Sequence, residues 1–189
     1  MNRTDGELME AAKSGDIRSF DELIGRYTDR VYAFALRLSG ESSVAEDAVQ
    51  ETFIKLWKNR SRYDEKRNFS SWLFAIARNA TLDQMRKRRD IAFSSVFVGE
   101  SEESFGEDIS DESIAIPEDI DRRTMAGILE ETLQSLTPDQ RAIVLLHDIE
   151  RMTFDEAGKA LGKPLNTVKS HYRRAIIALR RKLADRGLM

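Results

Sequence analysis

The chain has 189 residues, of which 41% are hydrophobic and 33% are charged, and its formal net charge is −3. This length and composition fit a globular chain of one or two small domains. The absence of cysteine excludes disulfides, thiolate metal ligands and cysteine nucleophiles. No apolar run approaches the roughly 20 residues that span a bilayer, and the N-terminus MNRTDGELME lacks the apolar core of a signal peptide. We therefore expect a cytoplasmic protein with no membrane insertion of its own.

The charge is distributed unevenly along the chain. The stretch from Val98 to Asp121 contains ten acidic residues and no lysine or arginine, and without it the net charge would be +7. The stretch from Lys163 to Arg186 has eight basic residues and one aspartate. This pattern indicates two mixed or basic blocks on either side of an acidic segment.

The first block begins with a helical pattern. Apolar residues recur at spacings of three and four between residues 8 and 38, which predicts helices on both sides of a break at Ser14-Gly15-Asp16. Gly15 is suited to end the first helix and Asp16 to cap the second, which should run as far as Ser39-Gly40.

A third helix is predicted from about Val44 to Lys58, with Ser42 or Ser43 as its N-cap. One side of it is apolar, and the other is acidic and polar except for one isoleucine. An apolar residue inside such a face suits docking of a basic partner, although an ordinary solvated helix face is the simpler explanation of the pattern alone. The residues of this face are Asp47, Gln50, Glu51 and Ile54.

A polar loop at residues 59–68 leads into a long helix predicted over Phe69 to Arg89. Basic residues of the loop are interleaved with Tyr63 and Phe69. This composition suits single-stranded nucleic acid, because cations follow the backbone and aromatic rings stack on unpaired bases. The alternative is that Phe69 and Trp72 belong to the core, whereas Tyr63 has no periodic apolar neighbours and is expected to be exposed.

Further along this helix, three polar residues share one stripe. Asn79, Asp83 and Arg86 stand at positions i, i+4 and i+7. Asp83 can therefore pair with Arg86 or Lys87 and hold it in place. The helix is predicted to end in the basic run RKRR.

The acidic segment from Ile91 to about Arg122 shows no helical period, and its Ser, Glu, Asp and Gly content predicts a flexible linker. Two interpretations remain open. It is either a solvated spacer or a segment that lies in a basic channel which otherwise holds nucleic acid.

The second block starts with a helix predicted over Met125 to Leu136. Thr137 is the predicted N-cap of the next helix, with Pro138 in its first turn and Gln140 completing a capping box. His147 has no second ligand at helical spacing, so we expect a satisfied histidine and no metal site.

The C-terminal sequence predicts a helix-turn-helix. A short helical pattern capped by Thr153, TFDEAGKALGKP, is broken by Gly162 and Pro164, and an amphipathic helix follows from Leu165 to Leu183. One side of that helix is apolar and the other is strongly basic. The second helix of such a motif lies in the DNA major groove, although a solvated basic face is the alternative. The residues expected to meet base edges or phosphates are Asn166, Thr167, Lys169, Ser170, Arg173 and Arg174.

The chain resembles the small two-domain extracytoplasmic-function (ECF) sigma factors of bacterial RNA polymerase in three motifs: AEDAVQETFIKLW, FSSWLFAIARNATLDQMRKRR and LQSLTPDQRAIVLLHDIERMTFDEAGKALGKPLNTVKSHYRRAIIALRRKL. The resemblance covers about residues 20–89 and 125–183. It implies an all-α fold of two helical domains joined by a flexible acidic linker. Residues 1–90 would form a sigma region 2, residues 91–122 the linker, and residues 123–189 a sigma region 4 containing the helix-turn-helix. Gly158 departs from the family, which usually has alanine at that position.

The resemblance also implies partners. The helix carrying Asp47, Gln50, Glu51 and Ile54 would dock on the β′ clamp helices of polymerase core. The helix-turn-helix would read the −35 promoter element and touch the β flap. The segment from Tyr63 to Arg89 would open and read the −10 element, and Asn79, Asp83 and Arg86 match positions near the recognised bases. Members of this group are commonly held by an anti-sigma factor.

We therefore predict a promoter-specificity factor that brings polymerase core to −10/−35 promoters, binds their double- and single-stranded DNA and promotes strand opening. A stand-alone helix-turn-helix regulator with an N-terminal sensing or dimerising domain is the alternative, but it leaves the basic-aromatic loop and the face around Ile54 unexplained. An enzyme has little support, because the sequence has no metal-ligand cluster, phosphate-binding glycine loop or serine–histidine–acid set. No cofactor is expected.

Overall fold

The computed structural model describes residues 3–98 and 127–188, which we call the N-terminal and C-terminal units. Within these ranges the secondary structure is helical and contains no strand, and the predicted all-α class is confirmed. The helices are α1 (Asp5–Lys13), α2 (Ile17–Ser39), α3 (Ser42–Lys58), α4 (Phe69–Val98), α5 (residues 127–134), α6 (Pro138–Val144), α7 (Phe154–Leu161) and α8 (Leu165–Ala184). They are supplemented by a short 3-10 helix at Arg60–Arg62 and a π-helical turn at Leu145–Ile149.

Most of the predicted helix boundaries are confirmed. Gly15 adopts φ +100° after α1, and the Asp16 carboxylate accepts hydrogen bonds from the first backbone N–H groups of α2. Thr137 and Gln140 form the predicted capping box of α6. The predicted N-cap of α3 is wrong: Glu41 occupies it and makes no side-chain cap. Ser39 explains this, because its hydroxyl accepts from the Glu41 N–H at 3.2 Å and brings the chain directly into the helix.

Helix α4 is longer than predicted. It continues to Val98, so the predicted end near Arg89 is wrong. The sequence IAFSSVFV contains neither glycine nor proline, so no residue in it interrupts the helix. The remainder of the predicted linker, residues 99–122, lies outside the described residues.

The N-terminal unit is built around the packing of α2, α3 and α4, with α1 against α2. Aromatic rings join these helices: Phe34 of α2 meets Phe74 of α4 edge-on at 5.2 Å between centroids, and Tyr27 meets Phe69 at 5.3 Å. The largest side chains fully buried in this unit are Leu8, Met9, Leu23, Leu38, Leu56, Leu73 and Phe74.

The C-terminal unit closes around the π-helical turn. The His147 ring stacks on Phe154 at 4.0 Å and meets Tyr172 of α8 edge-on at 5.0 Å. Its Nδ1 lies 2.7 Å from the Met152 carbonyl oxygen, so the predicted satisfied histidine is confirmed. Arg151 then adopts φ +59°, a left-handed conformation that turns the chain into α7. One aromatic cluster thus ties the turn to both helices of the helix-turn-helix.

The two units pack against each other, and Arg141 of α6 lies at their junction with only 5% of its surface exposed. Its guanidinium donates to the Leu38 carbonyl at the end of α2 and to the Leu133 and Leu136 carbonyls around the end of α5. It also donates to the backbone and side chain of Gln134. Helix C-termini carry partial negative charge, so a buried cation is well placed there. Burial lowers the pKa of Arg141, but an arginine remains charged.

We predict that Arg141→Lys destabilises the fold. An ammonium has three donors instead of five and no planar fork, so buried carbonyls lose their partners at a cost of about 1–3 kcal/mol. Urea unfolding followed by circular dichroism measures the difference. Arg181→Lys on the exposed side of α8 is the matched control, and an equal effect of the two substitutions would contradict the role of Arg141.

The turn between α7 and α8 explains the unusual glycine in the first helix of the motif. A Cβ added at Gly158 would lie 2.9 Å from the Lys163 carbonyl oxygen, closer than a backbone contact allows. The Lys163 N–H also donates to the Gly158 carbonyl at 2.9 Å. The two segments therefore approach so closely that a side chain at 158 has no room.

We predict that Gly158→Ala lowers the free energy of unfolding. Alanine gains about 1 kcal/mol in helix propensity, but the forced shift of the turn costs roughly 1–3 kcal/mol. Gly25→Ala in α2 is the control, because an added Cβ there meets nothing within 4 Å. A thermal melt should move down for the first substitution and up for the second. An equal rise in melting temperature for both substitutions would show that the turn shifts to admit a methyl group without a cost in free energy.

Candidate nucleic-acid and polymerase interfaces

Helices α7 and α8 form the predicted helix-turn-helix. Thr153 and Glu156 cap α7 reciprocally, with the Thr153 N–H donating to the Glu156 carboxylate at 2.8 Å. This backbone hydrogen bond is the main reason why the pKa of Glu156 is lowered. Gly162 ends the helix at φ +62°, and Val168 and Ala175 bury the inner side of α8. The orientation of α8 is therefore set by the capping of α7, by the left-handed conformation of Gly162 and by the burial of Val168 and Ala175.

The outer side of α8 carries the residues predicted to contact DNA. Within the described ranges, Lys169, Arg173 and Arg174 have no carboxylate at ion-pair distance, so their charges are available to phosphates. Thr167 is half-buried at the edge of this face. The exposed members are Asn166, Lys169, Ser170, Arg173 and Arg174, and further exposed cations follow at Arg180, Arg181 and Lys182.

Helix α3 presents the predicted docking face. Asp47 and Gln50 are exposed, and 47% of the Ile54 surface is exposed on the same side. Glu51 is half-buried and pairs with Lys55 at 3.3 Å. A large exposed isoleucine among acidic and polar neighbours has the composition of a small protein-binding surface.

The docking face is linked to the predicted stripe on α4 by a residue that the sequence analysis missed. Lys55 pairs with Asp83 at 3.5 Å as well as with Glu51, and Asp83 pairs with Arg86 at 3.2 Å as predicted. Asn79 and Arg86 are exposed, whereas Asp83 is half-buried between its two cations. The spacing of Glu51 and Lys55 at i, i+4 was the available signal.

Tyr63 corrects the prediction for the basic-aromatic loop. Only 4% of its surface is exposed, and its hydroxyl donates to the Arg67 carbonyl at 3.2 Å. Helix α1 covers it, since Lys13 Nζ donates to the Tyr63 carbonyl at 3.1 Å, and burial raises its pKa. The absence of a helical period around Tyr63 did not reveal this covering, because the helix comes from a distant part of the chain. The predicted exposure of Tyr63 is therefore wrong.

Phe69 is buried as well, as the core alternative anticipated, and the accessible ring of this region is the half-buried Trp72. Its ring lies 5.3 Å from Tyr63 and 6.4 Å from Phe69, so the two buried rings support it from behind. Trp72 lines a cleft of about 510 Å³ together with Lys66 and Arg67. The far wall of this cleft belongs to α7. Cations beside an accessible ring are the elements that single-stranded DNA binding requires.

The described part of the chain has no group of three or more His, Cys, Asp or Glu side chains arranged to hold a metal ion. Among the described helices, none combines the length and the apolar character needed to cross a bilayer.

Comparison with known proteins identifies both units. Sigma-70 region 2 matches residues 23–91, and sigma-70 region 4 matches residues 126–179. The ECF RNA polymerase sigma factor SigW of Bacillus subtilis is 29% identical over 94% of this chain and 95% of its own length. The RNA polymerase sigma factor CarQ of Myxococcus xanthus is 31% identical over 94% and 96%. The sigma factor RpoE from Bartonella quintana, solved in a complex with the anti-sigma factor NepR, superposes with a TM-score of 0.66 at 28% identity, covering 88% of this chain and 98% of that one.

A region 2 followed by a region 4 defines a sigma factor of RNA polymerase. The chain belongs to the extracytoplasmic-function group of these factors, as its sequence motifs indicated. It binds polymerase core and directs transcription initiation at promoters, and the stand-alone regulator is not favoured. The family consists of transcription factors that are not enzymes.

We predict that Lys169→Ala and Arg173→Ala weaken promoter use without loss of core binding. Each substitution removes one cation from the outer side of α8. If the removed side chain contacts a base, we expect promoter binding to lose about 1–3 kcal/mol. If it contacts a phosphate, we expect promoter binding to depend less strongly on salt concentration. Lys182→Ala, which removes the same charge near the end of α8, is the control. Run-off transcription with purified core reads out the effect, and wild-type transcription by both variants would refute this assignment.

Proposed function

We propose that the two units divide promoter recognition between them. Residues 123–189 read the −35 element as a duplex through Asn166, Thr167, Lys169, Ser170, Arg173 and Arg174, and they touch the β flap. Residues 1–90 bind the β′ clamp helices and act on the −10 element, and residues 91–122 connect the two. The observation that carries this division is the opposite character of the two exposed faces, acidic with one isoleucine on α3 and strongly basic on α8.

Recognition of the −10 element is assigned to α4 and to the loop before it. Asn79, Asp83 and Arg86 run along the exposed stripe of α4 and would meet the bases of this element. Trp72 is the ring that would receive an unstacked base. Tyr63 and Phe69 contribute by supporting Trp72 rather than by stacking themselves, because both are buried.

Promoter opening follows from this division of labour. Binding of duplex DNA by α8 positions the complex, and bases captured on α4 are held only when they are unpaired. Each base stacked on an aromatic ring contributes about 1–3 kcal/mol, comparable to the few kcal/mol that unstacking costs. Binding free energy therefore drives strand separation, and no covalent chemistry is needed, so the protein itself is not an enzyme.

Polymerase docking is assigned to Asp47, Gln50, Glu51 and Ile54. Their carboxylates would meet basic residues of the partner, while Ile54 would fill an apolar site at the centre of the contact. Because the partner is the transcription machinery, the protein acts in the cytoplasm. We also propose regulation by an anti-sigma factor, since the similar RpoE was solved with one.

A comparison of DNA binding with and without core tests the division of labour. The isolated protein should bind promoter DNA weakly, because two small basic surfaces separated by an acidic segment give little affinity, and core should raise that affinity strongly. A gel-shift titration followed by run-off transcription measures both. Tight, sequence-specific binding by the isolated protein would contradict the proposal.

We predict that Asp47→Arg abolishes core binding while the fold stays intact. The substitution reverses the charge at an exposed position, and like charges across an interface cost several kcal/mol. Asp21→Arg on the exposed side of α2 introduces the same charge change elsewhere. Pull-down with purified core distinguishes the two variants, and core binding by Asp47→Arg at the wild-type level would exclude this face.

A further inference from the structure

Helix α1 covers the loop that leads into α4, although it lies outside the segment matched by sigma-70 region 2, which begins at residue 23. It contacts Tyr63 of that loop at the hydroxyl and at the backbone. A Cβ added at Gly6 would lie 3.4 Å from the Tyr63 hydroxyl oxygen, so the backbone of α1 passes close to the end of the ring. Lys13 Nζ donates to the Tyr63 carbonyl at 3.1 Å. The burial of Tyr63 therefore depends on α1.

Helix α1 is itself attached firmly to α2. The Asp5 carboxylate in its first turn accepts hydrogen bonds from the Arg26 guanidinium and from the Tyr27 hydroxyl, both at 2.6 Å. The apolar side of α1 is fully buried, and closely packed side chains resist displacement. Helix α1 is therefore a fixed support for the loop. The buried residues of this side are Leu8, Met9 and Ala12.

Tyr63 connects this support to the residues that line the cleft beside Trp72. Its hydroxyl donates to the Arg67 carbonyl at 3.2 Å, which closes the loop on itself. Inside the loop, the Lys66 N–H donates to the Asp64 side chain at 3.0 Å. The centroid of the Tyr63 ring lies 5.3 Å from that of the Trp72 ring. A shift of Tyr63 would therefore move two cations and one accessible ring together.

Capture of an unpaired strand requires these cations and this ring in a fixed arrangement. Cations follow the backbone of the strand while a ring stacks on a base, so the spacing between them decides whether both contacts form at once. A loop that is ordered only on binding loses affinity, because its conformational entropy is lost at that moment. A loop that α1 already holds in place avoids this loss.

We propose that α1 is a positioning element for capture of the unpaired promoter strand, and that it acts through Lys13 and Tyr63. The side chains that it holds in place are those of Lys66, Arg67 and Trp72. Tyr63 is buried, and the Lys13 ammonium already has two acceptors, so both residues act through the loop and not on DNA. This inference rests on the proposed assignment of the loop and Trp72 to the −10 element.

Two substitutions test the support from opposite sides of Tyr63. Lys13→Met keeps the length of the side chain and removes the donor to the Tyr63 carbonyl. Tyr63→Phe keeps the ring and removes the donor to the Arg67 carbonyl. Each variant, bound to purified core, should bind single-stranded DNA about fivefold more weakly than wild type, the factor expected for one lost hydrogen bond. The probe is a short oligonucleotide that copies one strand of the −10 region of a promoter transcribed by the wild-type protein with core.

The controls separate positioning from charge and from folding. Arg18→Met removes the same charge from the exposed first turn of α2 and should bind the oligonucleotide like wild type. Lys13→Arg keeps a donor and should retain the affinity. Core binding in a pull-down and affinity for a duplex with the −35 element should stay at the wild-type level in every variant, which a general loss of structure would not allow. Circular dichroism establishes that each variant is folded.

Wild-type affinity for the oligonucleotide in the folded Lys13→Met and Tyr63→Phe variants would overturn the proposal. A loss with Lys13→Met that comes with a weaker salt dependence would also overturn it, because the lysine would then contact a phosphate directly. Trp72→Ala in the same assay tests the −10 assignment itself. If Trp72→Ala binds like wild type, that assignment fails, whereas if it alone weakens binding, only the role of α1 fails.

Discussion

A single buried guanidinium joins the ends of two helices from the two units. Arg141 donates to the carbonyls that finish α2 and α5, groups that have no partner within their own helices. Within residues 3–98 and 127–188, no carboxylate lies at ion-pair distance from it, and the compensating charge is the partial negative charge at the ends of the helices. Arg141 therefore fixes α6, and with it the helix-turn-helix, to the backbone of the N-terminal unit. The positions of these backbone carbonyls do not depend on side-chain rotamers.

The functional surfaces are connected by weaker interactions. A row of ion pairs runs from the proposed docking face of α3 to the stripe on α4, through Glu51, Lys55, Asp83 and Arg86. Pairs at a solvated surface contribute about 0–1 kcal/mol each, so the row can rearrange without cost to the core. A partner that takes Glu51 leaves Lys55 to Asp83 and thereby frees Arg86. The proposed docking face and the proposed base-reading stripe therefore share these charges, although they lie on different helices.

The structural features that depend only on residues close together in the chain could be predicted from the sequence. Capping by Asp16, Thr137 and Thr153, the left-handed Gly162 and the Asp83–Arg86 pair all follow from spacings of a few positions. The burial of Tyr63 could not be predicted in this way, because α1 covers it from fifty residues away in the chain. The same limit applies to the contact between the units. In the sequence, nothing near Arg141 distinguishes it from a solvated residue of α6. Its burial depends on the end of α2, which is about a hundred residues away in the chain.

The π-helical turn at Leu145–Ile149 has a consequence for the direction of α8. A π turn accommodates one extra residue in a helical segment without interrupting it, and one residue of helix corresponds to about 100° of rotation. The insertion therefore sets the direction of the side chains in this turn relative to α6, which is fastened to the N-terminal unit. With a regular helix in its place, the His147 ring would be rotated away from Phe154 and Tyr172, and the turn would lose its contact with both helices of the helix-turn-helix.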